Sequence, residues 1–294
     1  MNVLVTGGSG QLGSEIKDMA LQYSSFKLLF PDSAEVDICN CLQLETYLKD
    51  HKIKAVINCA AYTAVDRAEQ EAELAEKVNA TGVLNLVNAL EKVAGKLIHI
   101  STDYVFDGQG SVPYKEAEEV HPMGVYGRTK RKGELAVLNS SIDGIVIRTS
   151  WLYSAYGTNF VKTMLRLGLE REEVTVVSDQ VGSPTSATDL AKTCLELLSF
   201  EKQPRLNSKG KLYHFSNEGM ASWYEFALAI MTLAKIACHV KPVETKDYPT
   251  LAKRPQFSVL NTSKIKNDFE IKIPHWSASL ASCISKLKQI QNEL

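Results

Sequence analysis

The sequence lacks any apolar run approaching the ~20 residues that a membrane-crossing helix needs. It also lacks an excess of charge. Lysine and arginine total 33 and aspartate and glutamate 34, a formal net charge of -1. That balance gives no global pull toward nucleic acid or an anionic membrane, so neither is an expected partner. Met1 to Thr6 is short and apolar and meets glycines, without a basic leader or a signal-type hydrophobic stretch. A cytoplasmic location is expected. The six cysteines (Cys39, Cys41, Cys59, Cys194, Cys238 and Cys283) have no second close pair to match Cys39 and Cys41. That is poor zinc-site spacing, and they read as reduced thiols. No serine elbow with a partner carboxylate pattern is present, which removes His-based nucleophilic catalysis. There is no internal repeat and no low-complexity tract.

What is present is a rhythm. Predicted strands at Asn2–Thr6, Phe26–Phe30, Ala55–Asn58, Lys96–Ser101 and Gly144–Arg148 alternate with predicted helices. The helices run over Gln11–Gln22, Leu42–His51, Glu71–Val93 and Met123–Leu138. Strands such as Val3-Leu4-Val5 and Ala55-Val56-Ile57 are apolar throughout, as burial on both faces of a parallel sheet requires. After Trp151 the spacing predicts helices at Phe160–Leu169, Thr188–Leu198, Trp223–Ala234 and Ser277–Asn292, with strands at Val174–Val177 and Leu212–Phe215. The polar stretch Glu201–Gly210 reads as a loop or lobe connection.

The first strand runs into Gly7-Gly8-Ser9-Gly10-Gln11-Leu12-Gly13 and then a helix. Glycines here permit a tight turn, let the backbone approach a pyrophosphate, and let helix pack on strand. The helix N-terminus offers free N–H groups and a positive dipole end to phosphate. No G-K-[ST] follows, so this is not a P-loop. Asp32 lies about 20 residues beyond the glycines, where a carboxylate accepts hydrogen bonds from adenosine ribose hydroxyls and repels a 2′-phosphate. NADH fits that arrangement, and NADPH stays open.

The fold class expected is therefore α/β, a Rossmann-type doubly wound parallel sheet with a smaller α/β substrate-binding lobe. Residues 1–150 would form the NAD(P)-binding domain, with 174–200 returning to it. Residues 151–173 and 201–294 would form mainly the substrate lobe, with the C-terminal helix packing back on the first domain.

Tyr126-Gly127-Arg128-Thr129-Lys130 is a Y-x-x-x-K pair, which a helix places on one face. A free phenol titrates near about 10, and an adjacent ammonium lowers that value. The pair is then a proton donor or acceptor. The fourth strand ends at Ser101-Thr102-Asp103, and ligands sit outside the carboxyl ends of such strands. Thr102 is placed to polarise a carbonyl that Tyr126 protonates. Among bland readings, His99 is a satisfied core residue and His121 loop surface.

In this order, these motifs resemble the extended short-chain dehydrogenase/reductase superfamily, and within it the dTDP-4-dehydrorhamnose reductase branch. Further segments carry the resemblance over nearly the whole chain: Asn58-Cys59-Ala60-Ala61-Tyr62-Thr63, Ser101-Thr102-Asp103-Tyr104-Val105-Phe106, Arg148-Thr149-Ser150-Trp151 and Asp179-Gln180-Val181-Gly182. The resemblance implies reduction of the 4-keto group of dTDP-4-dehydro-L-rhamnose by NADPH or NADH. It implies Gly7, Gly10, Gln11, Leu12 and Gly13 at the cofactor pyrophosphate and Asp32 at the ribose. Asp37 and Ile38 would border the adenine, and Ala60, Ala61 and Tyr62 would line the groove. Tyr126 and Lys130 would hold the nicotinamide ribose and act in catalysis with Thr102. Thr102, Asp103 and Trp151 would touch the sugar, and Arg254 would pair with the diphosphate. Phe257 stands where the branch's pattern has asparagine. The resemblance further implies a homodimer with Mg2+ at its interface, held by Glu15 and Asp189. Two other functions share these motifs: a nucleotide-sugar epimerase or dehydratase, and a non-catalytic cofactor-binding regulatory subunit.

Overall fold

The computed structural model describes residues 1–199 and 211–292. The predicted connection at Glu201–Gly210 lies outside the described residues. Strand β1 (Asn2–Thr6) feeds α1 (Gln11–Met19), β2 (Lys27–Leu29), α2 (Cys41–Asp50) and β3 (Ile53–Asn58). Two short helices, α3 (Val65–Ala68) and α4 (Ala72–Glu76), precede α5 (Gly82–Lys92), β4 (Lys96–Thr102), α6 (Val125–Leu138) and β5 (Asp143–Thr149). The chain continues through β6 (Leu152–Tyr153), α7 (Phe160–Glu170), β7 (Glu173–Val177), β8 (Val181–Gly182), β9 (Thr185–Ser186) and α8 (Ala187–Ser199). Then follow β10 (Lys211–His214), β11 (Ala221–Ser222), α9 (Trp223–Ala234), β12 (His239–Val243), α10 (Ser263–Phe269) and α11 (Trp276–Asn292). Among the described residues no helix is long and apolar enough to cross a membrane.

Six parallel strands make the central sheet, in the order β10-β5-β4-β3-β1-β2. Alternation of side chains along each strand gives the sheet two cores. Val3, Val5, Ala55, Ile57 and Ile147 meet Leu12, Ile16, Leu190, Leu195 and Phe269 of α1, α8 and α10. Leu4, Val56, Leu97 and Val146 face the other way, toward Leu44, Leu48, Leu86, Leu90 and Val137 of α2, α5 and α6. Each such fully buried side chain contributes about 1.5–3 kcal/mol. From β1 the chain moves outward to β2, whereas β3 leads the other way to β4 and β5. The crevice at the carboxyl ends of β1 and β3 is the place where such sheets bind ligands.

The second lobe is built on the parallel pair β7–β12 with α7, α9 and α11. Residues 174–177, expected in the first domain, belong to this pair: Val174 and Val176 bury into the same core as Phe226 and Ile230. Helix α8, next in sequence, packs on α1 through Leu190 and Leu195. Strand β10, expected in the substrate lobe, extends the central sheet beside β5, because Tyr213 fills one core and Leu212 packs against the other. Helix α9 starts with a reciprocal cap in which the Ser222 hydroxyl accepts from Glu225 N–H and the Glu225 carboxylate accepts from Ser222 N–H.

Glu71–Val93, predicted as one helix, is interrupted by a π-turn at Lys77–Thr81. The irregularity buries Asn79, whose amide holds the segment after β3 in place.

Candidate active site

A cleft of about 810 Å³ opens at the sheet's crevice. Its first end is made of backbone. Gly7 has φ +66°, and a Cβ there would lie 2.7 Å from Ala60 N, so the turn after β1 lies against the segment after β3 with no room for a side chain. A Cβ on Gly13 would lie 2.4 Å from Gly7 O, so α1 sits directly on the turn that precedes it. Helix α1 begins at Gln11 with Gly10 as its cap residue and no side-chain cap, which leaves N–H groups free at its positive end. Gly7, Gly10, Gln11 and Leu12 line the cleft, and Gly13 supports them from behind.

Asp32, Asp37 and Ile38 line the same end, and no lysine or arginine joins them there among the described lining residues. One Asp32 oxygen accepts from Ala34 and Glu35 N–H at 2.9 Å each, shaping the turn after β2. Asp37 accepts from Cys39 N–H at 2.8 Å. Ala60 and Ala61 line the wall, but Tyr62 does not. Its hydroxyl donates to Glu71 at 2.5 Å and its backbone is clamped by Asn79, so the ring is drawn out of the groove.

The second end is made of side chains. Helix α6 carries Tyr126 and Lys130 and β4 delivers Thr102 and Asp103, and all four line the cleft. Tyr126 lies beside Thr102, whose hydroxyl donates to Asp103 Oδ1 at 3.1 Å. The shift expected for the Tyr126 phenol is reversed. Burial pushes it up to about 12, the Thr102 hydroxyl pulls back, and the Asp103 charge adds to the rise. Lys130 is not among the groups that move this phenol, and its ammonium donates to the Ile100 carbonyl at 2.5 Å. Burial pushes Lys130 down to about 8, against the pull of Glu134 and Cys59. Burial also raises the Asp103 carboxyl to about 6, opposed by the nearby Ser258 hydroxyl and by Thr102, which donates to Oδ1 at 3.1 Å. Gln11 Oε1, Asp103 Oδ2 and Thr149 Oγ1 are buried, line the cleft and have no partner among the described residues. Unpaired acceptors of this kind mark a place built for ligand donors.

Beneath Lys130 lies a charge network that the motifs do not reveal. Glu134 is fully buried, and Arg148 grips both its oxygens at 2.7 and 2.8 Å. Ser101 and Arg131 each add a bond of 2.7 Å. Burial alone would raise the Glu134 carboxyl, but the Arg148 guanidinium outweighs it and holds the group below its usual range. His99 is only half satisfied: Nδ1 meets the Asn58 amide at 3.0 Å, while Nε2 has no partner among the described residues. Tyr104, also missed, lines the cleft with its ring edge-on to Tyr126 at 5.5 Å. Its only sequence signal is its place beside Thr102 and Asp103.

Trp151 lines the cleft with φ +48° and stacks on Trp223 at 3.5 Å. A Cβ on Gly182 would lie 2.5 Å from the Trp151 ring, so that glycine makes room for it. Arg254, expected at the diphosphate, lies outside the lining residues, and its two terminal nitrogens bond Asp66 at 2.6 and 3.0 Å. Phe257 packs in an apolar cluster with Val105, Phe106, Tyr114 and Leu260.

The residues expected to hold magnesium do not fit it. Glu15 is buried and accepts from Ser154 at 2.6 Å and from the Lys286 ammonium at 2.7 Å. One Asp189 oxygen accepts from Asn217 and Ser279 at 2.7 and 2.5 Å. No group of three or more His, Cys, Asp or Glu side chains is placed to hold a metal among the described residues. Oxygen ligands facing ammonium, amide and hydroxyl donors are already satisfied.

The RmlD substrate binding domain model matches residues 1–289. A dTDP-4-dehydrorhamnose reductase of Aggregatibacter actinomycetemcomitans is 40% identical over 284 residues, covering 95% of this chain and 96% of that one. The crystal structure of a dTDP-4-dehydrorhamnose reductase from Clostridium acetobutylicum superposes with a TM-score of 0.92 at 40% identity, covering 98% of this chain and 100% of that one. A Bacillus anthracis dTDP-4-dehydrorhamnose reductase, solved in complex with NADP, gives 0.91 at 37% identity, covering 97% and 99%. With its glycine turn and Thr–Tyr–Lys wall in the order those motifs require, this chain belongs to the RmlD substrate binding domain family.

Proposed function

We propose that the chain reduces the 4-keto group of dTDP-4-dehydro-L-rhamnose with NAD(P)H, giving dTDP-L-rhamnose. The observation that carries this reading is one cleft with a backbone phosphate cradle at one end and Thr102, Tyr126 and Lys130 at the other. The cradle fits the pyrophosphate of a dinucleotide, and the unpaired Gln11, Asp103 and Thr149 oxygens suit ligand hydroxyls. When bound, the reduced nicotinamide supplies the hydride that C4 of the sugar gains.

The chain's own groups supply the rest. Thr102 and Tyr126 line the same end of the cleft, where their hydroxyls suit the oxygen on which charge develops. With its phenol raised to about 12, Tyr126 is fully protonated at neutral pH and donates its proton to O4 as the C–O double bond becomes single. Lys130, near 8, is mostly ammonium at neutral pH and lines the cleft where it bonds the ribose hydroxyls. Asp103 and Trp151 border the sugar. An epimerase recycles its cofactor, so stoichiometric consumption of NAD(P)H separates the two chemistries, and a regulatory subunit would consume none.

The test is NADPH oxidation driven by dTDP-4-dehydro-L-rhamnose, with wild type and Tyr126→Phe compared. The phenylalanine form is expected to lose about 10²–10⁴ in kcat, the usual worth of a positioned general acid. Equal rates would remove Tyr126 from the proposed role.

A further inference from the structure

Three elements from different parts of the chain converge behind the glycine turn. Helix α1, whose first turn forms the cradle, presents Glu15 and Asp18. Helix α11 of the second lobe brings Lys286, whose ammonium lies 2.7 Å from Glu15 Oε2 and 2.7 Å from Asp18 Oδ2. The loop after β6 adds Ser154, which donates to Glu15 at 2.6 Å, and Tyr156, which donates to Asp18 at 2.6 Å. The same ammonium lies 4.7 Å from the centre of the Tyr156 ring. Asn159 folds the loop on itself through the Ser154 carbonyl at 2.8 Å. Gly157, Thr158 and Asn159 then form part of the cleft, and a Cβ on Gly157 would stand 3.1 Å from Gln11 Cγ.

Glu15 is 1% exposed, and a carboxylate so placed demands a positive partner. That partner is covalently part of the chain. Burial works against the Lys286 charge, but the two carboxylates outweigh it and hold the amine above its usual range. Asp18 is held below its usual range by the bonds from Lys286 and Tyr156, which exceed the cost of its burial.

We propose that Lys286 is a built-in counter-ion that locks the 154–159 loop onto the phosphate-binding turn, in place of the magnesium that family resemblance assigns to Glu15. Lys286 is a positioning residue: it touches neither cofactor nor sugar, and acts through Glu15, Ser154 and Tyr156. The consequence is a chain whose cofactor affinity does not depend on a divalent cation. The proposal rests on the glycine turn being the cofactor cradle.

The test uses the full chain and Lys286→Met, which keeps a long apolar stem and removes the charge. NADPH affinity is measured by fluorescence titration, and kcat and KM by NADPH oxidation, each with magnesium chloride and with EDTA. Wild type is expected to bind NADPH equally in both. Lys286→Met is expected to bind about tenfold more weakly, with a larger change in KM than in kcat, a coupling typical of a displaced supporting contact. Lys286→Arg, which keeps the charge, returns the affinity toward wild type. Unchanged affinity in Lys286→Met, or a wild-type affinity that collapses in EDTA, overturns the proposal. Should Lys286→Met not fold, Tyr156→Phe removes only the Asp18 bond and is read the same way: weaker binding expected, unchanged binding contradictory. Amide exchange at residues 7–13 tests the underlying reading separately. Slowing on addition of NADPH to wild type supports the cradle whatever Lys286 does, and no slowing there overturns the cradle itself.

Discussion

The two ends of the cleft are held by different means. The cofactor end is a matter of backbone: Gly7 lies against Ala60, Gly13 lies on Gly7, and the free N–H groups of α1 point outward. Carboxylates enter only around that frame, Asp32 and Asp37 at its rim and Glu15 and Asp18 behind it. The catalytic end is a matter of side chains backed by buried charge. Tyr126 meets the Tyr104 ring edge-on, Lys130 donates to the Ile100 carbonyl, and the helix that carries both is pinned through Glu134 to Arg148. One end thus depends on backbone fit with charge only behind it, and the other on side chains whose protonation changes with pH.

The largest expected effect comes from breaking the charge behind the catalytic end. Glu134→Gln leaves Arg148, 1% exposed, facing a neutral amide, and is expected to cost about 3–5 kcal/mol of stability in urea unfolding. A loss well under ~1 kcal/mol, no more than a surface pair is worth, would show that this end does not depend on its buried ion pair. A smaller effect is expected at the backbone end. Gly7→Ala forces a Cβ into a left-handed residue 2.7 Å from Ala60 N, with backbone strain alone of about 1–2 kcal/mol. NADPH affinity should fall about tenfold, the equivalent of such an energy, with little change at saturating cofactor. Unaltered affinity would show that the turn has slack.

The same contrast explains which parts were legible in the sequence. Local devices were: the strand Asn2–Thr6, the glycine turn, the Y-x-x-x-K pair and the helix Trp223–Ala234 all follow from spacing within a few residues. Devices that join distant residues were not. Arg254 meets Asp66 across 188 positions, so its capture was invisible from its own motif. Tyr62 looked like groove lining until Glu71 and Asn79 took its hydroxyl and backbone. The π-turn at Lys77–Thr81 interrupts a helix that periodicity alone would continue, because Asn79 must reach both Tyr62 and Thr129. Val174–Val177 carries no mark of its partner, His239–Val243. Spacing places an ammonium near Tyr126 but says nothing of the burial that raises the phenol instead.

The most direct measurement is the pH dependence of kcat/KM for reduction of dTDP-4-dehydro-L-rhamnose. Burial holds Lys130 near 8 and Tyr126 near 12, so the reactive form has an ammonium and a neutral phenol. The ammonium predominates below about 8 and is lost as pH rises through it, so kcat/KM should hold in the neutral range and then fall toward tenfold per pH unit. A rate that climbs through that region would mean the phenolate is the working form and would contradict the account.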